Sequence, residues 1–208
     1  MAWRLELTIN SGTDKRFILP IRNDTVNDLY ISWGDGSTEN YKDSPNNYAG
    51  VPHEYSASAI YTIRIGGSTY FAGPYNAENG GALGFGFSQS SDGYNSYYYN
   101  KSRLLAISGN LVALLGNYIP TSNNYMFSYT FSGCSGLTGS IPASLFSGIS
   151  GAPVQCMFAG TFSGCSGLTG IPANLFSGIN GALAADMFAS TFSGCSGLTG
   201  IPANLFSG

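Results

Sequence analysis

At 208 residues the chain has room for one or two domains with a real core. Its net charge of −3 comes from 8 Lys and Arg against 11 Asp and Glu. No basic cluster is left to neutralise phosphates, which argues against a nucleic-acid partner. Only 9% of residues are charged, against roughly 25% in ordinary globular domains.

Polarity comes instead from Ser, Thr, Asn, Gly and Tyr, a surface suited to an extracellular, cell-surface or virion setting. No run of about 18 or more apolar residues occurs, so no membrane span is expected. No signal peptide is read either: Met1-Ala2-Trp3-Arg4 enters an alternating pattern with no apolar h-region. A leader has been removed, or the chain leaves the cell by another route, as a phage protein released by lysis would.

Residues 1–67 alternate with period two, which predicts a small antiparallel β-sandwich. Leu5, Leu7 and Ile9 form the first apolar set, and Phe17, Leu19 and Ile21 the second. Leu29, Ile31 and Trp33 form the third, and Tyr61, Ile63 and Ile65 the fourth. These residues are the expected inner face. The third set ends in Trp33-Gly34-Asp35-Gly36-Ser37, a strong turn signal because Gly accepts positive φ and Asp bonds nearby backbone. His53-Glu54-Tyr55 follows.

Together, WGDGS, H-x-Y and the strand Tyr61-Thr62-Ile63-Arg64-Ile65 resemble PKD-like, immunoglobulin-type domains. The resemblance covers most of residues 4–67 and departs at Ala59-Ile60-Tyr61, where such domains carry Gly-Thr-Tyr. Asp35 reads either as a stitch in the turn or as one carboxylate of a calcium site. His53 reads either as a packed, hydrogen-bonded ring or as a general base; the first reading is favoured for both.

Residues 68–103 form a Gly- and Tyr-rich linker or insertion, punctuated by Gly73-Pro74, Asn79-Gly80-Gly81 and Asp92-Gly93. Gly84-Phe85-Gly86 lacks the strand and helix a dinucleotide fingerprint requires. Tyr94, Tyr97, Tyr98 and Tyr99 stand among Ser, Gly and Asn, the composition of adaptable binding loops. They are candidate ligand-binding residues for a glycan or protein; the other reading has them packing on adjacent domains.

Residues 104–208 predict a repeat architecture: an irregular first coil over 104–125, then repeats from 126, 157 and 187. TFSGCSGLTG occurs at Thr130–Gly139, Thr161–Gly170 and Thr191–Gly200, each followed by an Ile-Pro-Ala-(Ser/Asn)-Leu-Phe tail. Cys134, Cys165 and Cys195 mark the register, 31 and then 30 residues apart. They are expected to be small buried residues packing coil on coil, without disulfides. Cys156 is out of phase with them. There is no CxxC and one His, so no zinc site is expected. Within a repeat, Met187–Phe192 reads as a short helix, Leu198–Ile201 as a strand and Pro202–Phe206 as a further helical turn. Ile149–Ala152 and Ile179–Ala182 are expected to lengthen the helical side.

The spacing F-x-x-C-x-x-L-x-x-I-P at Phe162–Pro172 resembles the BspA-like bacterial surface leucine-rich repeats. The resemblance implies an α/β solenoid, display and adhesion, and no catalytic residues. The expected fold is therefore multi-domain: an N-terminal all-β sandwich followed by a short α/β leucine-rich-repeat solenoid. The expected function is non-enzymatic surface binding or adhesion without cofactor or metal, through protein or glycan contacts. The alternative is a virion structural protein, such as a capsid decoration or tail-fibre component. The repeats run to Gly208 without a polar capping unit, which predicts burial of that end and a homo-oligomer through the C-terminal repeat.

Overall fold

The computed structural model describes residues 2–21, 25–42, 50–71, 86–87, 101–116, 124–149 and 151–206. Period-two alternation does what it predicts in the first third. The strands are β1 (Leu5–Asn10), β2 (Arg16–Leu19), β3 (Thr25–Ser32), β4 (Thr38–Lys42), β5 (Val51–Glu54) and β6 (Ile60–Phe71). Leu5, Leu7, Ile9, Leu29, Ile31, Ile63 and Ile65 are all buried on one face, because successive side chains of a strand point to opposite sides. On the other face, Tyr30 stands opposite Asn40, and Asp28 opposite Lys42.

A seventh strand, β7 (Leu104–Gly109), completes the main sheet in the order β4-β3-β6-β1-β7. Every pairing in it is antiparallel. β2 and β5 form a separate two-stranded sheet whose Phe17, Leu19 and Val51 join the same apolar cluster. The unit is β-rich and compatible with an immunoglobulin-like fold. Leu104–Gly109, expected in the first repeat coil, is thus an edge strand bonded to β1.

The α/β leucine-rich solenoid expected over 104–208 is not formed. Among the described residues there is no α-helix, only short 3-10 turns such as Val112–Leu115. Met187–Phe192 and Pro202–Phe206 are turns, and Leu198–Ile201 carries no strand pairing. The reason lies in the backbone. Asp186 and Ser190 adopt φ of 53° and 55°, and Gly194 of 72°. One left-handed residue in every four interrupts any α-helical run, and six residues are too few to nucleate a helix in any case.

What forms instead is a stack of turn-rich coils. Within a coil, N–H groups bond three residues back: Thr161 to Phe158 and Cys165 to Phe162. Alternate N–H groups point to the next coil: Phe127 donates to Met157 O at 2.8 Å, and Phe158 to Met187 O at 2.8 Å. Among the described residues of the repeats, named strands form only at β8 (Gly139–Ser140) and β9 (Leu168–Gly170), which pair in parallel. Ile149–Ala152 and Ile179–Ala182 extend no helix; Gly151 and Ile179 form a parallel bridge.

Phenylalanines fill the interior in register. Phe127, Phe158 and Phe188 stack at 5.4 and 5.5 Å between centroids. Phe131, Phe162 and Phe192 stack at 5.5 and 5.8 Å. The sheet closes one end of the stack, where Thr138 N–H donates to Leu105 O and Leu111 N–H to Leu145 O. One apolar cluster therefore runs from Leu5 to Leu205.

Candidate functional site

A polar cluster outside the repeats is built on the turn from β3 to β4. Trp33 N–H donates to Ser37 O at 3.1 Å and closes the turn. Gly34 sits at φ 87°, and a Cβ there would lie 2.6 Å from Thr62 O on β6. Only glycine lets the turn approach the neighbouring strand so closely. Asp35 Oδ1 accepts from Ser37 N–H at 2.9 Å and from Ser37 Oγ at 2.6 Å.

His53 reaches the turn from β5, where it pairs with Phe17. Its Nε2 lies 2.8 Å from Asp35 Oδ2. Its ring lies flat on Trp33, centroids 4.5 Å apart and planes 6° apart, and meets Tyr55 edge-on at 4.5 Å. Tyr55 stacks on Tyr61 at 3.9 Å and donates its hydroxyl to Trp33 O at 3.1 Å. Two sheets are thus tied together at one corner.

The electrostatics follow from these contacts. Burial pushes the Asp35 carboxyl up, but the Ser37 hydroxyl, the His53 ring, the Ser37 amide and the charge of His53 outweigh it and hold the group down at about 2. Burial, and then the Asp35 charge, push the Tyr55 phenol well up. At neutral pH Asp35 is ionised and accepts only, so His53 Nε2 must carry the proton. Ser37 Oγ lies 3.5 Å from that same nitrogen. A hydrolytic triad needs the serine and the carboxylate on opposite ring nitrogens. Here both face Nε2, and the serine donates to the carboxylate, so the trio has the geometry of a braced turn and not that of a triad.

A second feature lies on the outer face of the main sheet. Trp3 is 39% exposed and stacks on Tyr30 at 5.4 Å, planes 29° apart. It lies over Gly66, where a Cβ would stand 3.8 Å from the indole and 3.1 Å from Ala2 O. Beside this pair is a depression of about 280 Å³ bordered by Arg4, Asp28, Tyr30 and Asn40. Aromatic faces beside a carboxylate and an amide can stack on a sugar and bond its hydroxyls.

Trp33, Gly34, Asp35, Gly36, His53 and Tyr55 come together as one cluster. Cys134, Cys165 and Cys195 do not join it; they form a buried file inside the repeats. All four cysteines are free. The file is more than packing, because Cys165 Sγ donates to Phe131 O at 3.1 Å and Cys195 Sγ to Phe162 O at 3.0 Å. Burial pushes the Cys165 thiol up to about 12. Thr161 and Thr191 do the same work, each donating its hydroxyl to a Phe carbonyl of the preceding coil at 2.9 Å. Tyr94, Tyr97, Tyr98 and Tyr99 lie outside the described residues. Sequence reasoning missed Trp3, Tyr30 and the role of Ser37. The recurring Thr-Phe of each repeat was the available signal for the hydroxyl and ring files.

No group of His, Cys, Asp and Glu among the described residues could hold a metal ion. No helix among them is long and apolar enough to cross a membrane. Compared with protein-family models, with curated proteins and with solved structures, the chain finds no match.

Proposed function

We propose that this chain is a non-enzymatic binding or adhesion protein displayed outside the cell, with a PKD-like sheet unit joined to a rigid stack of repeats. One observation carries the reading. The most catalytic-looking trio of the described residues, Ser37, His53 and Asp35, is arranged to brace a turn: both donors converge on the carboxylate. What remains for function is surface. Trp3, Tyr30, Asp28 and Asn40 suit a glycan or a polar protein loop, and the tyrosines at 94 and 97–99 supply a second contact set.

A second reading, a virion component such as a capsid decoration or tail-fibre part, is favoured by the coil ladder, in which successive coils are stacked in parallel and in register.

The experiment is a glycan and host-surface protein array probed with the whole chain, with Trp3→Ala and with the Tyr97, Tyr98 and Tyr99 triple alanine variant. Binding weakened about tenfold or more by either variant supports the reading. Turnover of an arrayed substrate, or binding indifferent to both variants, overturns it.

A further inference from the structure

We infer that the outer edge of the third repeat is a docking site for a polypeptide segment of the repeat's own kind, added in parallel and presenting a row of backbone carbonyls. The inference goes beyond the surface-binding reading and does not depend on the sheet.

The argument begins with direction. N–H groups of residues 125, 127, 129, 131 and 133 donate to carbonyls of residues 155, 157, 159, 161 and 163, at 2.6 to 2.9 Å. Those of residues 156, 158, 160, 162 and 164 donate to residues 185, 187, 189, 191 and 193, at 2.7 to 3.0 Å. Every bond of this ladder points the same way. An ordinary strand edge shows backbone donors and acceptors alternately to its neighbour; here the backbone ladder uses the edge's donors, while the carbonyls of Phe158 and Phe162 take only side-chain donors of the next coil, Thr191 Oγ1 and Cys195 Sγ. On the third repeat the corresponding groups are the N–H of Asp186, Phe188, Ser190, Phe192 and Gly194. None meets an acceptor among the described residues. The left-handed positions at 186, 190 and 194 match those at 156, 160 and 164, so the donors are already set in the docking geometry.

The side chains tell the same story. The files Phe158–Phe188, Phe162–Phe192 and Phe176–Phe206 stack at 5.5, 5.8 and 6.1 Å, and their last rings have no ring beyond them among the described residues. Phe206 is 48% exposed, Ile201 58% and Leu183 67%. A cleft of about 340 Å³ lies here, lined by Phe176, Ile179, Leu183, Met187, Phe188 and Phe206.

The molecule itself displays what fits such an edge. The equivalent edge of the second repeat is covered by the third, which supplies five carbonyls and matching rings. A folded second copy does not fit. Two copies meeting end to end would set N–H against N–H. Head-to-tail stacking is obstructed, because the corresponding side of the first repeat already packs against another part of the chain at Thr130 and Phe131. There Phe87 N–H donates to Thr130 O at 2.6 Å, and the buried Phe87 ring lies 6.3 Å from Phe131. The occupant is therefore an unpaired repeat segment, bound as edge-adding peptides are, with affinity from the backbone and specificity from side-chain pockets.

The test titrates the whole protein, nitrogen-labelled, with a synthetic peptide covering residues 184–206, and with a scrambled peptide of the same composition. The expected result is saturable binding of the first peptide only. Amides of Asp186, Phe188, Ser190, Phe192 and Gly194 should shift and gain protection from exchange. Leu183→Glu, at an exposed position outside the ladder, should weaken binding about tenfold or more without changing the melting temperature, while Trp3→Ala should leave it unchanged. Absence of saturable binding, or equal binding of the scrambled peptide, overturns the inference. So does self-association of the unliganded protein that Leu183→Glu abolishes, since a folded second copy would then be the occupant.

Discussion

The rings of Trp33, in the turn that follows β3 of the main sheet, and His53, on β5 of the small sheet, lie face to face, 4.5 Å between centroids and 6° between planes. This stack explains why the WGDG turn and the H-x-Y element occur together. The indole fixes the imidazole plane, and the plane delivers Nε2 to Asp35 at 2.8 Å. The histidine is thereby a brace between the sheets, with its proton-bearing nitrogen already used.

Asp35 makes stability depend on acid. Its carboxyl is held at about 2 in the fold against 3.8 as the ordinary value. A depressed carboxyl stabilises above its unfolded pKa, and that contribution is lost as pH falls through the folded pKa. The window is pH 4 down to 2, and the amount about 2 kcal/mol. Urea unfolding at pH 5 and pH 2.5 should show this loss in the native protein and a smaller one in Asp35→Asn. Equal pH dependence in both would show that the carboxylate is not held as described.

Gly34 and Gly36 separate crowding from backbone preference. Both have positive φ, 87° and 97°. A Cβ at Gly34 would meet Thr62 O at 2.6 Å, whereas one at Gly36 meets nothing within 4 Å. Gly36→Ala should cost about 1–2 kcal/mol, the penalty of the left-handed region alone. Gly34→Ala should cost clearly more, because β6 must also shift. Chemical denaturation of the two variants checks the order.

The cysteine file predicts both reactivity and stability. With burial holding the Cys165 thiol near 12, it is protonated at pH 8 and unreactive in the fold. A thiol-specific reagent should leave Cys134 and Cys165 untouched until denaturant is added, and then count all four cysteines, which are free. Cys165→Ala removes the bond to Phe131 O and leaves a void, at about 1–3 kcal/mol. Cys165→Ser keeps a donor and should cost less. A melting temperature unchanged in both variants would refute the packed file.

The tyrosines at 97, 98 and 99 are tested by replacing all three with Ala. If they form a binding loop, ligand binding is lost while the melting temperature stays. A fall in melting temperature would place them as packing residues. Calorimetry on the variant, paired with the array measurement, distinguishes the two.

Much of the sheet was legible because one inward-facing residue out of two is a local rule. Leu5, Leu7 and Ile9 announce their face without reference to anything distant. β4 was missed, since Thr38–Lys42 buries only Tyr41 and carries almost no apolar alternation. The helix read at Met187–Phe192 failed for a different reason. Its residues tolerate helical turns, but the carbonyls of Met187, Ala189 and Thr191 accept from Phe158, Gly160 and Phe162, some 30 residues away, and single-segment reasoning weighs only local partners. Ser190 at φ 55° is strained by itself and becomes acceptable in a coil whose equivalents at Tyr129 and Gly160 share that conformation.

The sequence by itself determined the alternation of the first sheet, the WGDG turn and the repeat register marked by Cys134, Cys165 and Cys195. These rest on short-range sterics and on identity between repeats. Only the tertiary structure decided that Leu104–Gly109 closes the sheet, that the repeats are turn ladders without helices, and that Ser37, His53 and Asp35 brace a corner. Each of those outcomes is a choice between competing hydrogen-bond partners. That choice is settled by which groups packing brings within about 3 Å of one another, a distance that position along the chain does not encode.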